Sequence, residues 1–293
     1  MVETIGIIGN GVVGSATANA FRKHVREVRC WDIDGDRCTT PSILHTLTSD
    51  LIFVCLPTPQ DRVSGSLRCK TGVVEAFFMT LAGANLRRNY VLRSTVPVGY
   101  TRKLRERYGL VNLVHSPEFL TARTADYDAA NPVRNIIGDP TYTRIHDSEE
   151  MSSCAYRLKV LYDKAFLYEV SGELSAIIPD YIPPTYMMTS DESEAVKLFQ
   201  NSFSAVKIAA FNEFRAFSDA KKLDWERCLA ALLAGGWINP MHTQVPGPDG
   251  KFGFGGSCLP KDLANLVQCM DDAKLTPYMC RSALVRNEKV DRK

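Results

Sequence analysis

No stretch of this 293-residue chain is apolar for the roughly 20 residues that a bilayer-spanning helix needs. The amino terminus carries no basic flank and long apolar stretch; it enters a strand pattern within a few residues, so a secretory leader is not expected. Cysteine is present but unpaired in pattern. The nine residues are an odd number, none forms a Cys-x-x-Cys, and the five histidines are scattered without metal-ligand spacing. Neither a disulfide framework nor a metal site is expected. Charge of one sign is also missing, because 35 Lys and Arg against 33 Asp and Glu leave a formal charge of +2. That is too small for the footprint of a dedicated nucleic-acid binder, so any nucleotide partner should be a small molecule. No internal repeat or low-complexity tract is found. The reading is of a soluble cytoplasmic protein with reduced thiols and no membrane or nucleic-acid partner.

With 45% hydrophobic residues, the chain can bury a large core and should hold about two domains. Short apolar runs at Thr4–Ile8, Glu27–Trp31, Asp50–Leu56, Tyr90–Ser94 and Val111–His115 alternate with helix-like segments. Strands apolar on both faces predict a parallel sheet covered by helices, with Ile136-Ile137-Gly138 as a sixth strand. The stretch Asp147–Leu167 reads as helix. The proline-containing segment Ile177–Tyr186 closes the first domain, 1–186. From Ser190 the pattern changes. Ala195, Val196, Leu198, Phe199, Phe203, Val206, Ala209, Phe211, Phe214 and Phe217 fall at helical spacing, which predicts one helix of about 30 residues, its stripe most often core and a helix of that length often a subunit contact. A second helix runs from the cap Asp224 to Gly235-Gly236, a Gly/Pro-rich loop covers 247–256, and a last helical region begins at Asp262. The fold class is therefore α/β, a doubly wound parallel sheet followed by a smaller helical domain, 187–293.

Gly9-Asn10-Gly11-Val12-Val13-Gly14 is a Gly-x-Gly-x-x-Gly between the first strand and a helix around Ser15–Arg22. Gly9 permits the turn, Gly11 lets a pyrophosphate approach bare backbone, and Gly14 lets helix and strand pack, while free amides and the helix dipole face the anion. Asp32 ends the second strand, where a carboxylate binds ribose hydroxyls and repels the extra phosphate of NADP. NAD is the expected cofactor. Arg37 is a possible adenosine-side contact, by default a solvated charge.

Cys258 follows Gly253, Gly255 and Gly256 and precedes Lys261 and Asp262 at a helix start, where amides, the dipole and a lysine can favour a thiolate. A dinucleotide fold with such a thiol suggests that an alcohol loses hydride, sulfur traps the aldehyde, and a second hydride leaves to give a thioester that water opens. That route needs an oxyanion donor and a proton carrier. Lys197 and Asn201, one helical turn apart, can project together, and Glu118 and Asp262 are the available carboxylates.

In these motifs and their order the sequence resembles the UDP-glucose and GDP-mannose 6-dehydrogenases over nearly its whole length. Val54-Cys55-Leu56-Pro57-Thr58-Pro59, Arg93 to Gly99, Ser116-Pro117-Glu118-Phe119-Leu120, Lys197 with Asn201, and above all Gly255 to Asp262 carry the resemblance. It implies an NAD-dependent four-electron oxidation of a nucleotide sugar, UDP-glucose first, to the uronic acid. Cys258 would be the nucleophile, Lys197 and Asn201 the oxyanion donors, and Asp262 and Glu118 the proton and water carriers. Thr95 would stand by the nicotinamide, Thr58, Lys261 and Arg37 would line the cofactor, and Glu118, Phe119, Leu120, Phe254 and Gly255 would hold the sugar. A homodimer through the helix around 190–220 is implied as well.

Three departures stand out: Ala122 replaces a glutamate of the family, the loop after Gly236 has no arginine, and the chain stops near where a further nucleotide-holding domain would begin. A separate chain could supply that domain. Two other readings are an NAD-binding relative without turnover, and a β-hydroxyacid-type dehydrogenase with single-hydride chemistry, which leaves Cys258 without a role.

Overall fold

The apolar runs of the first half form strands, four of them buried on both faces and the edge strand Glu27–Trp31 buried only at Cys30. In the computed structural model, which describes residues 2–61, 67–145, 148–168 and 181–293, β1 (Thr4–Ile8), β2 (Glu27–Trp31), β3 (Leu51–Val54), β4 (Tyr90–Leu92) and β5 (Leu113–His115) lie parallel in the order β2-β1-β3-β4-β5. Successive residues point to opposite faces. Ile5, Ile7, Leu51, Phe53, Val91 and Val114 join one buried cluster, and Ile8, Ile52, Val54, Tyr90, Leu92 and Leu113 another. Helices α1 (Val12–Phe21) and α6 (Ser153–Ala165) close the first cluster with Phe21, Leu158, Leu161 and Tyr162. Helices α3 (Gly72–Gly83) and α4 (Tyr100–Tyr108) close the second with Val74, Phe78, Leu81 and Leu104. The short helices α2 (Ile43–Thr46) and α5 (Ala125–Ala130) lie in connections, α5 against α1.

The sheet is longer and less uniform than the sequence suggests. β6 (Asn135–Gly138) meets β5 antiparallel at His115 and Gly138, and β9 (Thr185–Met188) runs parallel to β6, giving seven strands. The link from β5 to β6 carries only the six-residue α5. The helix expected from Asp147 begins at Ser153, where Ser152 Oγ accepts the Ala155 N–H at 3.3 Å. Asp147 is outside the described residues, and β7 (Thr143–Ile145) pairs antiparallel with β8 (Ser148–Glu150) before the helix. Of the segment 177–186, the first four residues are outside the described ones, and Thr185 and Tyr186 belong to β9.

The chain divides into two compact units, Met1–Thr58 with Lys70–Lys197, and Pro59–Cys69 with Leu198–Lys293. Helix α7 (Ser190–Ala220) is a single 31-residue element whose first eight residues count with the sheet unit. Its apolar stripe is not uniformly core: Leu198, Ala209 and Phe211 are buried, whereas Phe199, Phe203, Phe214 and Phe217 are exposed. In the second unit, α8 (Trp225–Ala234) starts at Asp224, whose Oδ1 accepts the Arg227 N–H at 3.0 Å. The last helical region is two helices, α9 (Leu259–Asp272) and α10 (Tyr278–Arg286), followed by one wide π turn, Asn287–Asp291. Pro260 sits in the first turn of α9, where its missing N–H costs nothing, and Lys274 at φ 63° with Pro277 separates the helices. Ala205, Ala209, Phe254, Leu263, Ala264, Val267, Ala283 and Leu284 form the core there.

Candidate active site

In the sheet unit, the turn after β1 has the form a bound pyrophosphate requires. Gly9 adopts φ +87°, and a Cβ there would lie 2.7 Å from Cys55 O. A Cβ on Gly14 would lie 2.0 Å from Gly9 O, so this position admits glycine alone while helix and strand stay in contact. Gly11 is the N-cap of α1, extended and without a side-chain cap, and a Cβ on it would meet nothing nearer than Arg37 at 4.0 Å. The first amides of α1, those of Val12 and Val13, thus have no acceptor within the helix and face an open approach. Asp32 accepts the Asn10 N–H at 2.6 Å and the Asp34 N–H at 3.0 Å, which anchors its carboxylate at the end of β2. These residues fit a dinucleotide. Arg37 pairs with Asp34 at 3.1 Å and is half exposed, in keeping with its default reading as a solvated charge.

Thr58 and Thr95, in the segments after β3 and β4, are joined, the Thr58 hydroxyl donating to Thr95 O at 2.8 Å. Both are buried. Glu118 follows β5; its Oε2 accepts the Leu120 N–H at 2.7 Å, and Lys197 Nζ from α7 donates to its Oε1 at 3.0 Å and to its carbonyl at 2.6 Å. Burial pushes the Glu118 carboxyl up, but Lys197, the Leu120 amide and Arg93 outweigh it and hold the group below the usual carboxylate range. Two cations approach the Phe119 ring, Lys197 Nζ at 5.3 Å and the Arg134 guanidinium at 4.6 Å from its centroid. Lys197 is 4% exposed, so its ammonium is withdrawn from solvent into this contact.

In the helical unit, Cys258 is exposed and is the N-cap of α9 at φ −99°, ψ −61°. Its carbonyl accepts the Asp262 N–H at 2.9 Å, closing the first turn. Asp262 is 1% exposed; its Oδ2 accepts Asn201 Nδ2 from α7 and its Oδ1 accepts Lys261 Nζ, each at 2.5 Å. The loop ahead of Cys258 buries Phe254, while Gly255 lies so close to the Arg292 guanidinium that a Cβ would come within 2.9 Å of it. Phe254, Gly255, Gly256 and Pro260 line a cavity of about 630 Å³ together with Asn287 and Arg292. Among the described residues, no group of three His, Cys, Asp or Glu could hold a metal, and no helix is long and apolar enough to cross a membrane.

The expected site residues thus fall into two sets. Gly9 to Gly14, Asp32, Thr58, Thr95, Glu118 to Leu120 and Lys197 belong to the sheet unit, and Asn201, Phe254, Gly255, Cys258, Lys261 and Asp262 to the helical unit. In the first set Glu118 holds Lys197, and in the second Asp262 holds both Asn201 and Lys261. The sequence carries no sign of Arg134 against the Phe119 ring, of Asn212 and Asn287 on the glycine loop, or of Glu194, whose carboxylate accepts the Gly99, Tyr100 and Thr101 N–H groups at the start of α4. None of these carries a local signal; each acts across more than a dozen residues of sequence.

A mostly parallel sheet with a glycine turn that fits a dinucleotide, followed along the chain by a helical unit with an exposed cysteine at a helix start, fits an NAD-dependent dehydrogenase. Residues 37–158 match the UDP-glucose/GDP-mannose dehydrogenase family, NAD binding domain, and residues 191–289 match its central domain. The chain belongs to the UDP-glucose/GDP-mannose dehydrogenase family, and its cofactor is NAD. It is 28% identical to the UDP-glucose 6-dehydrogenase of Campylobacter jejuni, covering 90% of this chain and 67% of that protein. It is 28% identical to the UDP-glucose 6-dehydrogenase of Streptococcus pneumoniae, covering 82% and 55%. The chain therefore spans between about half and two thirds of these relatives. A UDP-glucose dehydrogenase structure from Pyrobaculum islandicum shares the fold at TM-score 0.78 and 22% identity, covering 98% of this chain and 68% of that one. A Mycobacterium tuberculosis 3-hydroxyisobutyrate dehydrogenase shares it at TM-score 0.70 and 16% identity, covering 97% and 92%.

Proposed function

We propose that the chain oxidises the primary alcohol of a nucleotide sugar, UDP-glucose first, to the uronic acid through a covalent adduct on Cys258. The observation that carries the reading is the exposed Cys258 at the start of α9, one turn from a buried Asp262 gripped by Asn201 and Lys261. NAD, held by the Gly9–Gly14 turn and Asp32, supplies the hydride acceptor for both oxidations. The alcohol gives up a hydride and a proton to become an aldehyde. Cys258 Sγ then forms a C–S bond to the carbonyl carbon, and the oxygen becomes an oxyanion before it is protonated. Loss of a second hydride and proton leaves a thioester, and water breaks the C–S bond to release the acid and the thiol.

Lys197 and Asn201 are assigned the oxyanion, and Glu118 and Asp262 the protons and the hydrolytic water. The pairs Lys197–Glu118 and Asn201–Asp262 support that assignment, because each sets a donor against a proton carrier. Thr95, Thr58 and Lys261 are assigned to the cofactor, and Phe119, Leu120, Phe254 and Gly255 to the sugar. The exposed Phe199, Phe203, Phe214 and Phe217 support a homodimer through α7.

The test is NADH yield from the purified protein with NAD and UDP-glucose or GDP-mannose. The proposal expects about two NADH per sugar, and a Cys258→Ser variant that stops before acid release. One NADH per substrate, unaffected by loss of the thiol, would point instead to single-hydride chemistry. NAD binding with no NADH from any sugar nucleotide would refute turnover.

A further inference from the structure

The glycine loop that leads to Cys258 has no secondary structure of its own, yet its backbone is held at successive points by side chains from the far end of the chain. Asn287, at the start of the π turn after α10, is 6% exposed. Its Oδ1 accepts the Phe254 N–H at 2.8 Å, and its Nδ2 donates to Phe254 O at 3.0 Å. One carboxamide thus satisfies both polar groups of one residue, as a neighbouring strand would. On the preceding residue, Gly253 N–H donates to Asn212 Oδ1 of α7 at 3.0 Å, and Arg292 donates to Gly253 O at 3.2 Å and to Asp249 at 2.7 Å. Gly253 sits at φ +68°, and a Cβ on it would come within 2.3 Å of Asn287 Oδ1, so the fit leaves no space for any other residue. Arg292 N–H donates to Asn287 O at 2.9 Å, which ties the two gripping residues together through the wide turn. A π turn at this point places both side chains on the loop, where a continued α-helix would rotate them apart.

We propose that Asn287, with Arg292, is the positioning residue that fixes the Gly253–Gly256 backbone ahead of Cys258, and so sets affinity for the sugar part of the substrate. It rests on the assignment of Phe254 and Gly255 to the sugar. Asn287 acts through the loop and not on the reacting atoms. The cavity walled by Phe254, Gly255 and Gly256 is also walled by Asn287 and Arg292, so a change in the grip alters the cavity directly. Removing the carboxamide leaves a buried N–H and a buried C=O without partners, which favours an opened loop by about tenfold.

The experiment uses the full chain and its Asn287→Ala and Asn287→Asp variants, the second keeping the side-chain volume so that folding is preserved. Hydrogen exchange followed by mass spectrometry should show peptides over 249–257 exchanging about tenfold faster in Asn287→Ala, with peptides from α7 and α8 unchanged. With NAD and UDP-glucose, KM for UDP-glucose should rise by about tenfold while kcat falls less and the Kd for NAD stays within about twofold. Asn287→Asp keeps the acceptor for Phe254 N–H and loses the donor to Phe254 O, so both effects should appear in the same direction. Exchange over 249–257 that stays within about twofold of wild type in both variants overturns the proposal, as does faster exchange with an unmoved KM. A wild-type protein without turnover refutes the reaction proposed above and leaves the exchange measurement to decide the role of Asn287.

Discussion

Replacing Lys197 by methionine keeps the length of the side chain and removes its ammonium from a pocket where it is 4% exposed. Glu118 then loses a 3.0 Å ion pair, and its carbonyl loses a 2.6 Å donor. Breaking one partner of a buried pair costs about 3–5 kcal/mol, because the remaining charge stays desolvated. Against a total stability of about 5–15 kcal/mol, that is a large share. The cost must also depend on pH. In the wild-type protein the Glu118 carboxyl is held below its ordinary 4.5, so it contributes stability above that value, lost as pH falls through the folded pKa. Without Lys197, burial becomes the leading influence and drives the folded pKa above 4.5. The group then costs stability increasingly as pH rises, by about 1.4 kcal/mol per unit until the folded pKa is passed.

Urea unfolding at pH 5 and pH 8 measures this. Trp31 lies in the sheet unit and Trp225 and Trp237 in the helical unit, so a background with both of the latter changed to Phe reports on the unit that matters. The deficit of Lys197→Met should be larger at pH 8 than at pH 5 by about 1 kcal/mol or more, and Glu118→Gln added to Lys197→Met should recover part of it. Equal deficits at the two pH values, or a deficit below about 1 kcal/mol, would refute the buried pair.

Gly14→Ala should abolish NAD binding in a titration of protein fluorescence and lower the melting temperature, since its Cβ would lie 2.0 Å from Gly9 O and only backbone movement relieves that. Glu194→Gln should destabilise the sheet unit by about 1–3 kcal/mol in the same urea assay, because one oxygen accepts from Gly99 and Tyr100 and the other from Thr101, and the amide nitrogen that replaces either oxygen accepts nothing. Iodoacetamide on the folded protein should label the exposed Cys258 and Cys228 first by peptide mass spectrometry; Cys55, whose thiol burial pushes to about 12, should react only on unfolding.

How much of this was legible in the sequence follows from where the information lies. The strand at Thr4–Ile8 was readable to the residue because it is buried on both faces and its run is nearly all apolar, and Glu27–Trp31, an edge strand buried only at Cys30, because Val28, Cys30 and Trp31 stand out between charged residues. The glycine turn, Asp32 and the Asp224 cap were readable because their physics is local. The hairpin before α6 and the seventh strand were not, since β7, β8 and β9 are three or four residues each and owe their form to pairing partners. The phenylalanines of α7 show the limit of periodicity: it marks apolar positions on a helix without saying which neighbour covers them. In the site, residue types were legible and pairings were not. The sequence offers Lys197, Asn201, Glu118 and Asp262 as a pool, and only the fold sorts them into Lys197 with Glu118 and Asn201 with Asp262.

That sorting can be tested by exchange. Asp262→Asn alone sets an amide against the Asn201 amide and leaves Lys261, itself mostly buried, without its carboxylate. The loss should be about 1–3 kcal/mol of stability in the helical unit, read from Trp225 and Trp237. Asn201→Asp alone sets a second carboxylate against Asp262 and should cost a similar amount, because two like charges then share a buried contact. Together, Asn201→Asp with Asp262→Asn rebuilds one amide against one carboxylate with the partners reversed, so the double variant should be more stable than the sum of the single losses predicts, by about 1 kcal/mol or more. Additive losses would mean that the two side chains do not depend on each other. The same double variant separates packing from chemistry. A carboxylate at 201 leaves the first turn of α9, and with it the side next to Cys258, without its proton carrier. Stability should therefore return while NADH formation from UDP-glucose does not, and a double variant that regained both would remove Asp262 from the chemistry and leave it a structural partner of Asn201.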